Sequence, residues 1–237
     1  MIIWQLLKVV PRIIFTGIDR YHIVKLPLDR DLDDLPRSVE GVTFEWITHA
    51  NVDKIEKWVG RSTVWFWRRL LNLGDAGIYA LVDGEVVGYN LISLGCEHWA
   101  VYHVKGPVGR HDAYFHRGAT HPSFRRRGIM TAMLVRSAEY LQQNYGAQEF
   151  QRACGANLTS NHAQTEVVEQ IGFVKTHELH ITRLFMICFA RRYWELDPES
   201  GERIGRGKLG VSFKLPGFLL QTKKASVEQP VTPFGTP

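Results

Sequence analysis

The sequence ATHPSFRRRGIM, residues 119–130, places a proline turn and three consecutive arginines directly before Gly128. The segment that leads into it, residues 112–120, contains β-prone residues and predicts a strand. After Gly128, apolar residues recur at helical spacing as far as Tyr145, which predicts a helix. The stretch is therefore the turn from a strand into a helix.

A turn of this kind is typical of an anion site. The first amides of a helix have no partners inside the helix, the helix dipole adds partial positive charge, and a glycine lets a phosphate approach the backbone closely. Arginines beside it add charge-assisted hydrogen bonds. A pyrophosphate is the anion that we expect such a turn to bind, although neither a P-loop nor the G-x-G-x-x-G pattern of dinucleotide-binding folds is present. A solvated basic turn is the alternative interpretation.

The composition of the whole chain is compatible with such a site. The 237 residues carry a formal net charge of +5 and a pI near 9.2, which fits a phosphate-bearing cofactor, an acidic lipid surface or nucleic acid. No zinc-finger, RNP-like or basic-zipper pattern is present, so we expect no nucleic-acid partner. Cys96, Cys154 and Cys188 are widely spaced without a C-x-x-C pair, which predicts reduced thiols in the cytoplasm and no metal site.

The first 20 residues, MIIWQLLKVVPRIIFTGIDR, are strongly apolar, with polar residues spaced three or four apart. This spacing predicts an amphipathic helix that is interrupted at Pro11. The segment lacks the basic leader and cleavage site of a signal peptide, and its charged residues exclude a membrane span. Two roles stay open: docking on the protein's own domain or on the second subunit of a homodimer, or lying on the inner membrane surface as a peripheral anchor.

Upstream of the anion turn, the sequence predicts strands and short helices. Residues 21–28 and 41–48 are typical of strands, and Thr48 is placed to cap a helix over residues 50–59. The segment 62–71 predicts a second helix that buries its aromatic side chains. A hairpin follows, in which the dipeptide Asp-Gly suits the positive φ angles of a tight turn.

Downstream of the anion turn, a strand, a helix and a β-prone stretch follow between residues 148 and 190. The order of elements predicts an α/β fold of the α+β kind, a mixed sheet with helices on its faces. We expect an N-terminal helix and connector at residues 1–40, a domain at residues 41–195, and a C-terminal extension with a mobile tail at residues 196–237.

Two motifs resemble the GCN5-related N-acetyltransferase (GNAT) family. The family signature is an arginine or glutamine, two residues, glycine, one residue, then glycine or alanine. Arg125-x-x-Gly128-x-Met130 matches its first two fixed positions and departs at the third. Asn161, followed by a helix that ends in EQIGF, is similar to a second family segment. The motifs stand in the family's order, and the resemblance covers residues 42–190.

The resemblance implies a GNAT-like acyltransferase fold and acetyl transfer from acetyl-CoA to a primary amine, by direct attack through a tetrahedral intermediate. The implied acetyl-CoA contacts are Thr120, His121, Arg125, Arg126, Arg127, Gly128, Ile129, Met130 and Asn161. In the family, a backbone amide near the end of a splayed strand stabilises the oxyanion, and Thr120 and His121 stand at that position. The sequence does not identify the amine acceptor.

The catalytic acid and base are marked less clearly. The family often places a tyrosine acid where this chain has Val168, and some members carry a base carboxylate near the position of Tyr114. On an alternating strand Tyr114, His116, Gly118 and Thr120 share one face. Tyr114 and His116 are therefore the candidates to line the cleft, and a histidine has a pKa suited to base work. Structural roles for both side chains are the alternative.

The departures at Met130 and Val168 leave three interpretations. The chain is an active acetyltransferase that moves protons through water, or an acyltransferase that uses a long-chain or carrier-protein donor near a membrane. The third interpretation is a non-catalytic acyl-CoA-binding or scaffold protein of the same fold. We expect the first, because a CoA thiolate is a good leaving group.

Overall fold

The computed structural model describes residues 15–95, 107–145, 148–184 and 188–213. The strands are β1 (Phe15–Pro27), β2 (Thr43–Trp46), β3 (Ala76–Val82), β4 (Glu85–Ser93), β5 (Asp112–Thr120), β6 (Arg152–Leu158), β7 (Val174–Leu184), β8 (Cys188–Leu196) and β9 (Arg203–Phe213). The helices are α1 (Glu56–Val59), α2 (Arg61–Asn72), α3 (Ile129–Asn144) and α4 (His162–Ile171), with short helical turns at Val52–Ile55 and Pro122–Phe124.

The nine strands form one mixed sheet in the order β2-β3-β4-β5-β6-β1-β7-β8-β9. Neighbouring strands are antiparallel, except β5 and β6, which run parallel. The β3–β4 hairpin turns at Asp83 and Gly84, whose φ angles are 50° and 79°. These left-handed values are the ones that a two-residue hairpin turn requires, and they confirm the predicted hairpin.

Strand β1 lies in the middle of the sheet, where residues 21–27 pair with β6 and residues 15–25 pair with β7. The predicted N-terminal helix is therefore wrong for residues 15–20. These residues form strand because β7 satisfies their backbone groups, and because Gly17 and the β-branched residues beside it favour a helix only weakly. Residues 1–14, which hold the rest of the predicted helix, lie outside the described residues.

Helices cover both faces of the sheet. On one face, α3 and α4 enclose a core with residues of β1, β4, β5 and β6. On the other face, α2 packs Val64, Trp67 and Leu70 against β3 and β4. The prediction that this helix buries its aromatic side chains holds for Trp67, which is 1% exposed, but is wrong for Trp65, which is 64% exposed. Residues two apart lie on opposite sides of a helix, so only one of them can face the sheet.

A buried ion cluster ties β1, β5 and β6 together where β5 and β6 begin. Asp112 is fully buried and accepts hydrogen bonds from Lys25 Nζ at 2.7 Å, Arg152 Nε at 2.7 Å and the Gly109 amide at 2.8 Å. Burial raises the pKa of Asp112, but the hydrogen bonds from Lys25, Gly109 and Arg152 outweigh it and hold the pKa below its ordinary value. The cluster thus fixes one end of the only parallel strand pair in the described sheet.

Most of the other predicted elements are confirmed, although the cap at Thr48 is wrong. The Thr48 amide donates to Asn51 Oδ1 at 2.7 Å, and the helical segment starts as a short turn at Val52–Ile55. The sheet extends beyond residues 41–195, because β1 precedes that range and β9 follows it. The predicted mobile tail falls within residues 214–237, outside the described part of the chain. Among the described helices, none combines the length and apolarity that a bilayer crossing needs.

Candidate functional site

The turn between β5 and α3 has the geometry of an anion cradle. Gly128 adopts a left-handed conformation with a φ of 77°, and α3 begins at the next residue. A hydrogen bond of 3.0 Å joins Ala132 N to Gly128 O, so the amides of Ile129, Met130 and Thr131 have no partner within the helix. These amides and the helix dipole together favour an anion at this point. We call residues 125–131 the cradle.

The three arginines of the cradle are exposed around the start of α3. Arg125 Nε donates to Thr120 O at 3.2 Å and so ties the turn to the end of β5. Arg126 has a left-handed φ of 61°, and the Arg127 guanidinium lies 5.4 Å from the centre of the Phe124 ring. All three side chains stand where they can add positive charge for an anion bound at the helix start.

Strands β5 and β6 separate directly ahead of the cradle. Their pairing runs from Asp112 to Phe115 on β5 and, within the described residues, ends at Phe115 opposite Gly155. Beyond that point β5 stays paired with β4, and residues 156–158 of β6 stay paired with β1. The result is a wedge-shaped opening between residues 116–120 and residues 156–158, which we call the cleft.

Three buried polar groups near the cleft have no hydrogen-bond partner among the described residues: Asn90 Nδ2, Thr120 Oγ1 and Asn157 Nδ2. Asn90 and Asn157 are each 2% exposed, and Asn90 Oδ1 lies 3.1 Å from where a Cβ would stand on Gly118. A buried polar group without a partner is costly, and a ligand in the cleft would complete the hydrogen bonding of these three. They fit the amide groups of a pantetheine arm, and the cradle fits a pyrophosphate, so the residues present fit an acyl-CoA.

A bulge in β5 changes which side chains face each side of the sheet. The register with β4 shifts after His116, so β5 carries one extra residue, and Arg117 has a left-handed φ of 54°. The predicted alternation over residues 114–120 is wrong for this reason. Gly118 faces Met130 of α3, whereas His116 and Arg117 both lie on the face that α2 covers.

Tyr114 and His116 lie together on that α2 face. Their rings stack 5.7 Å apart at an angle of 7°. Tyr114 is 3% exposed, and burial raises the pKa of its hydroxyl, which makes it a poor proton donor. His116 is half-buried at the start of the cleft. The structure therefore brings both predicted catalytic residues together but leaves only the histidine accessible.

His116 is linked through Ser93 to a buried carboxylate. Ser93 Oγ lies 3.0 Å from His116 Nε2 and donates to Asp75 Oδ2 at 2.9 Å. Desolvation raises the pKa of Asp75 to about 7, against hydrogen bonds from Ser93 and from the Leu94 amide that lower it. When Asp75 is ionised, Ser93 gives its single proton to the carboxylate and accepts the proton of His116 Nε2. The basic nitrogen of the neutral ring is then Nδ1.

Two of the residues predicted to contact acetyl-CoA, His121 and Asn161, already have hydrogen-bond partners in the protein. The His121 amide donates to Val87 O at 2.8 Å. Because successive amides of a strand point to opposite edges, the Thr120 amide is the one directed away from β4. Asn161 caps α4: its Oδ1 accepts from the Gln164 amide at 3.3 Å and its Nδ2 donates to Gln164 Oε1 at 3.0 Å. Its contact with acetyl-CoA stays a prediction.

Five residues of the site belong to no motif in the sequence: Asp75, Asn90, Ser93, Arg117 and Asn157. Each acquires its place through pairing between strands rather than through its sequence neighbours. The signal closest to them is the Asp-Gly turn of the hairpin, since counting pairs outward from it aligns Asp75 with the end of β4.

Comparisons with known proteins agree with this geometry. The sequence model of the acetyltransferase (GNAT) family matches residues 43–173. Among solved structures, a tandem GNAT protein from the clavulanic acid biosynthesis pathway has a similar fold, with a TM-score of 0.51 and 15% identity over 86% of this chain and 56% of that chain. The chain therefore spans little more than half the length of that protein. A GCN5-related N-acetyltransferase from Kribbella flavida has a TM-score of 0.43 and 14% identity over 70% of this chain and 60% of that chain.

A third structure is the glucosamine N-acetyltransferase region of a fungal multi-domain β-N-acetylglucosaminidase. It has a TM-score of 0.49 and 13% identity over 68% of this chain and 20% of that chain. No curated protein sequence matches the chain significantly. The family model covers more than half of the 237 residues and includes both the cradle and the Asn161 segment, so the chain belongs to the GNAT family of acetyltransferases.

Proposed function

We propose that the protein is an acyl-CoA-dependent N-acyltransferase that transfers an acetyl group from acetyl-CoA to a primary amine. The observation that carries the proposal is the cleft, which opens beyond Phe115 and Gly155 and leads to the cradle at Gly128. An extended thioester with a diphosphate at one end has the shape and charge for these two features together. The partnerless groups of Asn90 and Asn157 support this assignment, because amides of the donor would satisfy them.

The cradle and the end of β5 have separate tasks in the proposal. The amides of Ile129, Met130 and Thr131 bind the pyrophosphate, and Arg125, Arg126 and Arg127 add charge around it. The acceptor amine attacks the thioester carbonyl carbon of acetyl-CoA, and the C–S bond breaks to release the CoA thiolate, which takes a proton from water. The Thr120 amide, directed away from β4, is placed to stabilise the negative charge that develops on an oxygen in the cleft.

His116 is the residue that we assign as the base. Only a neutral amine is nucleophilic, so a group in the site must accept its proton. When Asp75 is ionised, Ser93 donates to it and accepts the proton of Nε2, so the proton of the amine goes to Nδ1. Tyr114 stacks on the ring and fixes its orientation, so it acts as a positioning residue.

Thiol release from acetyl-CoA in the presence of a panel of amines tests this assignment. We expect amine-dependent release by the wild type, and a kcat that is about 10²- to 10⁴-fold lower in His116→Gln, with the Kd for acetyl-CoA unchanged. His49→Gln, which changes an exposed histidine outside the site, is the matched control and should behave as the wild type. Binding of acetyl-CoA without release by any amine would instead identify a non-catalytic binding protein, and release only from longer thioesters would identify a long-chain enzyme.

A further inference from the structure

The bulge in β5 places a cation beside the proposed base. Arg117 follows His116 directly, and its guanidinium carbon lies 4.8 Å from the centre of the Phe66 ring of α2. Among the described residues, the hydroxyls of Tyr89 and Tyr114 also interact with its charge. The guanidinium therefore lies over the Phe66 ring on the α2 face, where His116 also lies, rather than extending freely into solvent.

Arg117 has no acidic partner among the described residues. By contrast, Arg37, Arg68, Arg152 and Arg203 each form an ion pair with a carboxylate. Solvent reaches the Arg117 side chain, while partial burial desolvates the guanidinium and lowers its pKa. A cation in such surroundings binds an anion more strongly than a fully solvated one, because less water has to be displaced.

The backbone at Arg117 is held in an unfavourable conformation. Its φ of 54° lies in the left-handed region, which side chains other than glycine, asparagine and aspartate rarely adopt. Backbone strain of this kind clusters at binding sites, and a bulge is a known means of re-aiming a side chain. Without the bulge, Arg117 would face α3 and could not lie next to His116 on the α2 face.

We infer that the acceptor amine also carries an anionic oxygen group, a carboxylate or a phosphate, and that Arg117 binds this group while His116 receives the proton of the amine; the inference rests on the acyl transfer proposed above. A guanidinium matches both oxyanions, since its planar fork donates two parallel hydrogen bonds. Because the two side chains come from consecutive residues, the amine and the anionic group belong to one compact acceptor, such as a free amino acid or an aminoalkyl phosphate.

Matched acceptor pairs test the inference. Thiol release from acetyl-CoA is measured for each common L-amino acid against its carboxamide, and for phosphoethanolamine against ethanolamine. Each pair keeps the amine and removes the negative charge. Because the charge also changes the basicity of the amine, the informative quantity is the charged-to-neutral ratio of kcat/KM, compared between the wild type and each variant. The carboxylate and phosphate pairs distinguish the two sources of the anion.

The variants separate a lost contact from a lost fold. Arg117→Gln should lower the charged-to-neutral ratio about 10- to 100-fold, the effect of losing charge-assisted hydrogen bonds. Arg117→Gly removes the guanidinium at a backbone angle that suits glycine, so it should fold at least as well and show the same loss. Arg117→Lys keeps the charge without the fork, so its charged-to-neutral ratio should lie between those of the wild type and Arg117→Gln. Arg206→Gln, an exposed arginine on β9, should keep the wild-type ratio.

An equal ratio in the wild type and in Arg117→Gly would overturn the inference and leave acyl transfer intact. The same holds for an enzyme that acetylates neutral amines and none of the charged ones. Absence of amine-dependent thiol release with every acceptor would overturn the inference together with the proposed function. Loss of the ratio in both Arg117→Gln and Arg117→Gly, with Arg206→Gln unchanged, would establish it.

Discussion

The carboxyl group of Asp75 is buried. It lies at one end of a hydrogen-bonded chain that runs through Ser93 to His116. Desolvation raises its pKa to about 7, whereas the pKa in an unfolded chain is ~3.9. Between these values the folded state keeps a proton that the unfolded state has lost. The free energy of unfolding should therefore fall as the pH rises from ~4 to about 7, and level off above the folded pKa.

Asp75→Asn should remove this part of the pH dependence, because the amide does not titrate. Urea unfolding at about pH 5 and about pH 8 measures this difference. The free energy of unfolding should fall more from the lower to the higher pH in the wild type than in the variant. Other groups titrate in both proteins alike, so the comparison isolates Asp75. An equal change in the two proteins would show that the carboxyl group is ionised at neutral pH without penalty.

The turn and helix start that form the cradle could be predicted from the sequence, because residues 125–131 are consecutive and both are local structures. The hydrogen bond between Ser93 and Asp75 could not be predicted from the sequence. Counting outward from the hairpin turn places Asp75 opposite Ile92, but a register shift after Ala80 moves the pairing by one residue and brings Asp75 to Ser93. The position of such a shift depends on packing across the sheet, which the sequence does not reveal.

Among the elements, the junction of β5 and β6 has the largest effect on the cleft, because the strands are held together at one end and open at the other. Lys25 and Arg152 neutralise the buried Asp112 at the closed end. Lys25→Met should lower the free energy of unfolding by about 3 kcal/mol, since it leaves a buried charge with one partner fewer.

The matched control for this variant is Lys57→Met. Lys57 pairs with Glu85 at 3.5 Å, and the two side chains are 87% and 71% exposed. Surface pairs of this kind contribute ~1 kcal/mol or less. Chemical unfolding of both variants checks the prediction, and similar losses in the two would mean that the buried cluster does not hold the strands together.

Elements with a clear local pattern could be predicted, while the contacts between them could not. The helical spacing after Gly128 and the Asp-Gly turn each lead to the observed element. The bulge in β5 breaks the alternation because β4 sets its register there, and the sequence of β5 alone contains no sign of it. For this reason Gly118 is predicted on the wrong face, and Arg117 is not predicted at all.

At the scale of the whole molecule, the N-terminal strand completes the sheet. β1 lies between β6 and β7, and it pairs with residues 156–158 of β6, which form one side of the cleft. The sequence marks residues 21–28 as a strand but not its partners, which lie more than 100 residues away along the chain. Partner choice over such distances depends on which edges the rest of the fold leaves free, so the segment 1–40 is taken for an appendage from sequence alone.

Calorimetric titration of acetyl-CoA into the wild type and into a variant with Gly128→Glu and Arg125→Ala tests the cradle and the acyl donor together. We expect binding by the wild type and an affinity about 100-fold or more lower in the variant, because a carboxylate replaces open space in the cradle and one cation is removed. Gly201→Glu with Arg206→Ala makes the same changes at an exposed glycine with a φ of 70° and should bind as the wild type does. Equal affinity in all three proteins, or no binding by the wild type, would contradict the assignment of the cradle and of the acyl donor.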